Sequence, residues 1–117
     1  MFKITILNEG VEALATNLAE NITKAQWGSG TALPSPTDTG LKDPIPTTLL
    51  DIVASSSGAI AQITHTVGSL IGNGSAFVEH ELQFANGDSL NRSIGGTINK
   101  TNAFEVITIT SVTFSTI

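Results

Sequence analysis

Glu79-His80-Glu81 is the cluster in this chain whose residue types suggest catalysis or metal binding. Carboxylates and imidazoles act as general acids and bases and as metal ligands. In a β-strand, successive side chains point to opposite faces, so His80 projects away from both glutamates and the three cannot converge on one ion. His65 could meet His80 across a strand pair, but two histidines alone do not complete a metal site. We therefore expect a partly buried histidine beside two solvated carboxylates, with no metal.

Two other patterns are weaker candidates for chemistry. Asp38, Asp43 and Asp51 flank a proline-rich segment, but their spacing matches no calcium-binding loop, and calcium needs six to eight oxygen ligands. Turn capping and solvation explain these carboxylates better. The segment from Gly28 to Thr31 follows a predicted strand, as phosphate-binding loops do, yet it lacks the Gly-Lys-Ser/Thr ending and leads into prolines. No nucleophile-elbow motif is present either. The sequence thus predicts no catalytic residue, no cofactor and no enzyme.

The composition of the chain argues against disulfide-bonded, nucleic-acid-binding, membrane and secreted proteins. The chain has 117 residues, a formal charge of −5 and no cysteine, so we expect one domain without disulfides or thiolate metal sites. The few cations lie far apart in sequence, which disfavours nucleic-acid binding. No apolar run approaches the roughly 20 residues of a membrane span, and the first residues do not resemble a signal peptide. These features predict synthesis in a cytoplasm, with no membrane partner.

The elements that must position these residues begin with a helix. Val11, Leu14, Ala15 and Leu18 recur at helical spacing and predict an amphipathic helix over about residues 9–20, with Asn8 as its N-cap. An extended lead-in precedes it, where Phe2, Ile4 and Ile6 alternate with more polar positions. We expect the helix to pack across a sheet or its open end.

A proline-rich loop over about residues 28–47 is the most individual part of the chain. It contains all four prolines and follows a predicted strand from Ile22 to Trp27. Prolines restrict the backbone and remove hydrogen-bond donors, which favours a rigid, extended loop. Trp27, the sole tryptophan, is interpreted as either a core residue or an interface residue.

Strands are predicted over about residues 48–116. Residues 59–67 and 76–85 alternate between apolar and polar positions, Asn86-Gly87 predicts a two-residue hairpin turn, and Gly95-Gly96 is expected to break the chain. The last strand, Phe104 to Phe114, has apolar residues on both faces and is expected to be central or at a subunit interface. Together these segments predict a mainly β domain, a single β-sandwich or open barrel spanning residues 1–117.

Three short motifs succeed one another along this framework. They are Gly28-Ser29-Gly30-Thr31 with Pro34, Pro36 and Leu41; Asn86-Gly87-Asp88; and Ile98 to Asn102 with Val106 to Thr110. In this order they resemble the small structural proteins of tailed bacteriophages, in particular tail-collar fibre attachment domains and related stand-alone decoration proteins. The resemblance spans most of the chain.

What this resemblance implies is a non-enzymatic virion protein. It would be a capsid decoration or cement protein, or a short fibre or tail-adaptor subunit, made in the host bacterial cytoplasm and assembled as a homotrimer with other virion proteins. The alternative is a carbohydrate- or peptide-binding β-sandwich, which should present an exposed aromatic cluster. The residues that we expect at interfaces are Trp27, Leu33, Pro34, Pro36, Leu41, Leu70, Ile71 and Phe114. Leu70 and Ile71 are predicted to pack at the sandwich edge or on a neighbouring chain, because this pair is costly to leave in water.

Overall fold

The computed structural model describes residues 3–116, so Phe2 of the predicted lead-in lies outside the described part. Within this range the chain forms one N-terminal helix, a short 3-10 turn and seven β-strands, which confirms the mainly β fold. The helix α1 spans Asn8–Asn21, and the 3-10 turn spans Pro46–Thr48. The strands are β1 (Ile22–Gly28), β2 (Leu50–Asp51), β3 (Val53–Ser57), β4 (Ile60–Val67), β5 (Ala76–Phe84), β6 (Ser89–Asn99) and β7 (Val106–Thr113).

The strands form two antiparallel sheets in a sandwich-like arrangement, as predicted. The first sheet has the order β2-β1-β5-β6, and the second has the order β3-β4-β7. Only Ile52 separates β2 from β3, so the chain passes from one sheet to the other along that side. On the opposite side the sheets end at β6 and β7. Each of these strands pairs with one neighbour in the described part of the chain, which leaves the sandwich open there.

Helix α1 lies against the second sheet and the end of the sandwich. Val11 and Ala15 are buried, and the hydroxyl groups of Thr16 and Ser56 lie 3.2 Å apart. The predicted cap is wrong by one residue, because Leu7 occupies the N-cap position and no side chain caps the helix there. The carbonyl of Leu7 accepts hydrogen bonds from the backbone N–H of Gly10 and Val11 instead.

Two groups of buried apolar side chains hold the sheets together. Burying each large apolar side chain contributes about 1.5–3 kcal/mol. The cluster nearer the helix consists of Ile22, Ala25, Ile63 and Leu82, with Leu18 and Phe84 packed against it. The cluster at the far end consists of Trp27, Val67, Phe77 and Val106, with Ile71 and Ile98 at its margin.

Three predictions about the strands and turns are wrong in detail. The β5–β6 hairpin exists, but its turn is longer than two residues, and in the described chain positive φ is confined to glycines such as Gly87 (φ 90°). Gly95 and Gly96 do not end a strand: β6 continues through them, and the pairing register shifts between Phe77 and Glu79 opposite them. β7 is an edge strand of its sheet, so the central position predicted as one alternative is wrong, and the other alternative, a subunit interface, stays a prediction.

Candidate functional site

The proline loop lies over the outer face of the first sheet and covers carboxylates that the sequence predicted to be solvated. Glu79 is 0% exposed and Glu81 is 3% exposed, so that prediction is wrong. The alternation of β5 does place both side chains on the face opposite His80, as expected. Water is excluded from that face because the proline loop folds back onto it. The continuous burial of β5 follows from this arrangement.

Glu79 accepts four hydrogen bonds, three from the loop backbone and one from Arg92 of β6. Its Oε2 accepts from the backbone N–H of Gly30 and of Asp43, each at 2.8 Å. Its Oε1 accepts from the backbone N–H of Lys42 at 2.9 Å and from Nε of Arg92 at 2.7 Å. One side chain of β5 therefore binds both the outgoing and the returning arm of the loop.

The charge of Glu79 is compensated although the carboxyl is buried. Burial alone would raise its pKa, but hydrogen bonds from the backbone N–H of Lys42, from Arg92 and from the backbone N–H of Asp43 and Gly30 outweigh this effect. The pKa of Glu79 is consequently held below its ordinary value. The carboxylate is ionised at neutral pH, as an acceptor of four hydrogen bonds requires.

Arg92 of β6 completes the attachment from the neighbouring strand. Its side chain is 3% exposed, Nη2 donates to the carbonyl of Ala32 at 2.6 Å, and Nη1 donates to Asp38 at 3.3 Å. Asp38 also pairs with Nζ of Lys42 at 2.8 Å. The Lys42 side chain and the backbone N–H of Ser35 lower the pKa of Asp38. Two carboxylates and two cations thus form one network between loop and sheet.

Glycines are required where the loop approaches Glu79 most closely. A Cβ atom on Gly28 or on Gly30 would lie 2.5 Å from Oε2 of Glu79, which is closer than real Cβ contacts occur. Both glycines are therefore explained by close approach of the backbone to a buried carboxylate. The phosphate-loop pattern in this segment serves to accommodate an anion that belongs to the protein itself.

A shallow polar groove lies between the proline loop and β6. It has a volume of about 200 Å³ and is lined on one side by Pro34, Ser35, Pro36, Asp38 and Gly40, and on the other by residues 89–92. The polar groups of Asp38 and Arg92 at its base are already engaged in the ion-pair network. The groove therefore presents few free groups for chemistry, and its rim is formed by exposed prolines.

The predicted interface residues separate into two groups. Leu33 (82% exposed), Pro34, Pro36 and Leu70 (84% exposed) project into solvent. Leu41, Ile71 and Phe114 are partly buried: Ile71 packs on the far core cluster, and Phe114 lies beside the helix residues Leu14 and Leu18. Ile71 packs in its own chain, whereas Leu70 stays exposed, so a contact of Leu70 with a neighbouring chain remains a prediction.

Trp27 lies in the core, which was the alternative to its interface role. Its ring stacks on Phe77 with centroids 5.3 Å apart and contacts His80 at 4.6 Å. Only 9% of the residue is exposed, and Nε1 has no hydrogen-bond partner among residues 3–116. The exposed part of the predicted docking surface is therefore the tip of the loop together with Leu70, and Trp27 anchors β1, the strand from which the loop departs.

His65 and His80 do meet, as predicted, but across the two sheets instead of along a strand pair. Nδ1 of His65 lies 2.9 Å from Nε2 of His80, and Nε2 of His65 lies 3.0 Å from the carbonyl of Thr48. A carbonyl only accepts, so Nε2 of His65 donates to it and Nδ1 accepts from His80. Burial lowers the pKa of both imidazoles, that of His80 to about 4 with help from the nearby His65. Both are neutral at pH 7.

Lys100 is a buried cation that the sequence did not single out. Its Nζ donates to the carbonyl of Ser69, to Oδ1 of Asn73 and to the carbonyl of Thr101, at 2.8–3.2 Å. It fixes the turn that carries Leu70. Arg92 and Lys100 were missed because an isolated cation in a sequence normally indicates solvent exposure. The one sequence feature that could have drawn attention to them is that cations are few, since the chain has only five Lys and Arg residues.

In residues 3–116 no three His, Asp or Glu side chains converge on a point where they could hold a metal ion. Within the same range, the helix is too short and too polar to cross a membrane. Comparison with known proteins adds no assignment: no protein-family model, no curated protein and no solved structure matches this chain.

Proposed function

We propose that this protein is a non-enzymatic structural component of a tailed-bacteriophage particle, either a capsid decoration protein or a short fibre or tail-adaptor subunit. It acts by docking a fixed surface onto other virion proteins and onto copies of itself. The observation that carries the proposal is the proline loop: a buried ionic network holds it on the sheet while its apolar tip, Leu33 with Pro34 and Pro36, faces solvent.

A loop held in this way suits docking for an energetic reason. Ordering a flexible loop on binding costs free energy, so a loop already ordered keeps more of its contact energy as affinity. Modest contacts then suffice when many copies bind a symmetric particle together. The network around Glu79 supplies the order, and the exposed Leu33 supplies apolar surface to be buried.

The amount of exposed surface also supports assembly. The chain exposes 7181 Å², whereas a compact monomer of 12.1 kDa exposes about 6,000 Å². Its radius of gyration is 15.8 Å, compared with about 13 Å for a compact domain of this length. The excess of about 1,200 Å² is larger than the roughly 800 Å² that each partner buries in a standard interface.

A sugar-binding role has less support. Such a site needs an exposed aromatic platform, but Trp27 and Phe77 are buried in the core, and Phe104 at 39% exposure is the most accessible aromatic residue between positions 3 and 116. The polar groove beside the loop is lined by no aromatic residue. These observations favour docking through aliphatic and proline side chains.

Fractionation of phage particles tests the proposed function. Particles produced by a culture that encodes this chain would be purified on a density gradient, washed, and analysed by quantitative mass spectrometry and antibody labelling. We expect the chain in the particle fraction at a fixed ratio to the major capsid or tail protein. Finding it entirely in the particle-free lysate would overturn the proposal, and specific binding to a glycan array would favour the alternative.

A further inference from the structure

The N-terminal arm, Lys3 to Leu7, belongs to no helix and to no sheet. Leu7 has extended backbone angles (φ −82°, ψ 163°), and residues 3–6 make no hydrogen bond to the rest of the described chain. If the arm pairs as a strand, Ile4 and Ile6 share one of its faces by alternation. Ile4 is 88% exposed, while Ile6 is 44% exposed and lies close to Gly10, where an added Cβ atom would be 3.2 Å from Ile6 Cγ2. Such an arm leaves both its backbone groups and its apolar face unpaired.

The open side of the sandwich contains a cavity large enough for an apolar side chain of this arm. Between the edges of β6 and β7 lies a cavity of about 220 Å³, lined by Trp27, Val78, His80, Ser93, Ile94, Gly95, Gly96, Thr108 and Thr110. A cavity of about 150 Å³ accommodates a benzene ring, so this one has room for an aliphatic side chain. Its lining contains no carboxylate, lysine or arginine, and its histidine is neutral at pH 7.

The free edge of β7 is the better of the two edges for receiving a strand. β7 pairs with β4 in unbroken register over residues 106–113, so its backbone is regular. The β6 edge is irregular near Gly95, where its pairing with β5 shifts. Regular edges with unpaired backbone groups are the ones that other chains pair with. The inward-facing Thr108 and Thr110 of β7 also line the cavity.

We infer that the arm of one copy adds as a strand to the free edge of β7 in a second copy, and that its Ile4 enters the cavity between the sheets. Five extended residues span about 16 Å, which is shorter than the eight-residue strand that receives them. The added strand closes the open side of the sandwich. Each cavity is then completed by a residue that its own chain does not supply.

The chemistry of the arm and of the cavity suits a second copy as the occupant. The arm presents Ile4 and Ile6 and carries one charged residue, Lys3, and the cavity lining has no lysine, arginine or carboxylate, so the contact brings no like charges together. An arm that binds a different surface of the next copy makes a head-to-tail contact, which closes into a ring when the rotation permits. This inference rests on the proposed function, because it names the contact by which the subunits associate.

Disulfide trapping tests the contact directly, because the chain contains no cysteine. A chain carrying Ile4→Cys would be mixed with a size-tagged chain carrying Thr108→Cys and mildly oxidised. We expect a mixed-size disulfide dimer. The matched control replaces Ile4→Cys by Thr5→Cys, whose side chain lies on the opposite face of the arm, and should give little of that dimer. Equal yields from both, or no mixed dimer, would overturn the inference.

Light scattering on charged variants separates this inference from the proposed function. Ile4→Asp should raise the concentration for half-maximal association at least about tenfold, because the aspartate would have to enter an apolar cavity. Thr5→Asp should change it less than about twofold. If the parent chain associates and Ile4→Asp associates equally well, the arm contact is wrong. A parent chain that stays monomeric at every concentration also overturns it. In either case particle fractionation decides the proposed function independently.

Discussion

The carboxylate of Glu79 lies 2.7 Å from the guanidinium of Arg92, and both side chains are buried beneath a loop that begins some fifty residues earlier in the chain. This pair lies between adjacent strands, β5 and β6, and both members also bind the loop backbone. The ion pair therefore joins a local hairpin to a distant loop. The stability of the sheet and the shape of the exposed loop depend on the same two residues.

Glu79→Gln should lower the free energy of unfolding by about 3–5 kcal/mol. The amide leaves the buried Arg92 with only its longer ionic contact to Asp38 and faces three backbone N–H donors of the loop without a charge, and breaking a buried pair costs about this much. Urea unfolding followed by circular dichroism measures the change. Glu12→Gln on the exposed face of the helix is the control and should change stability by less than about 0.5 kcal/mol. A Glu79→Gln variant as stable as the parent would contradict the role given to this carboxylate.

Gly30→Ala should destabilise the protein by about 1–3 kcal/mol, because its Cβ would be forced to within 2.5 Å of Glu79 Oε2. The loop must then move away from the carboxylate and lose hydrogen bonds. Gly95→Ala is a suitable control, since a Cβ there meets open space. Thermal unfolding of the two variants should differ by several degrees. Equal melting temperatures would show that the loop does not approach the sheet this closely.

Regular alternation made most of the fold predictable. The apolar stripe from Val11 to Leu18 predicted the helix to within one residue at either end, and alternation predicted β1, β4 and β5 with similar precision. Irregular positions were predicted wrongly for a physical reason. The register shift in the β5–β6 pair turns Phe77 to the core, although simple alternation placed it with Glu79. A bulge changes the face of a residue without leaving a sign in residue types.

The buried network was not predictable, because it depends on contacts across long stretches of sequence. Glu79 is about 50 residues from Gly30, and Arg92 is 60 residues from Ala32. Charged residues on one strand face are normally solvated, so period-two reasoning assigned Glu79 and Glu81 to water. The proline loop was recognised as rigid, but nothing in its composition said that it folds back over the sheet. Because the loop packs on this face of the first sheet, side chains that were expected in solvent are buried there.

Acidification should destabilise the protein between pH 6.5 and about 4. The pKa of His80 falls from 6.5 in the unfolded chain to about 4 in the folded one, so the unfolded state binds the extra proton first. The free energy of unfolding falls by roughly 3 kcal/mol across this range.

Below about pH 4.5, protonation of Glu79 lowers the free energy of unfolding further, because its folded pKa is also lowered. His80→Gln should reduce the dependence between pH 6.5 and 4.5, and His65, whose pKa burial also lowers, should retain part of it. Urea unfolding at several pH values measures this, and a parent profile that is flat there would contradict the neutral pair.

Lys100→Met should loosen the turn that carries Leu70. The ammonium group holds the carbonyl of Ser69 and the amide oxygen of Asn73, and methionine can replace the stem but not these hydrogen bonds. We expect faster amide hydrogen exchange in residues 68–75 and a loss of about 1–3 kcal/mol. Lys24→Met is the control, because the Lys24–Asp51 pair is exposed and contributes at most about 1 kcal/mol. Unchanged exchange in the turn would argue against this role of Lys100.

Truncating Trp27 should destabilise the fold, whereas truncating Leu33 should weaken docking and leave the fold intact. Trp27→Ala removes a buried ring stacked on Phe77 and should cost about 3–5 kcal/mol of stability. Leu33→Ala removes a side chain that is 82% exposed and should leave the melting temperature unchanged. If the loop tip docks on the particle, Leu33→Ala will nevertheless reduce the copies retained on purified particles after washing. Thr37→Ala, at another exposed site in the same loop, is the matched control for that retention. Full retention of the Leu33→Ala chain would remove the tip of the proline loop from the docking surface.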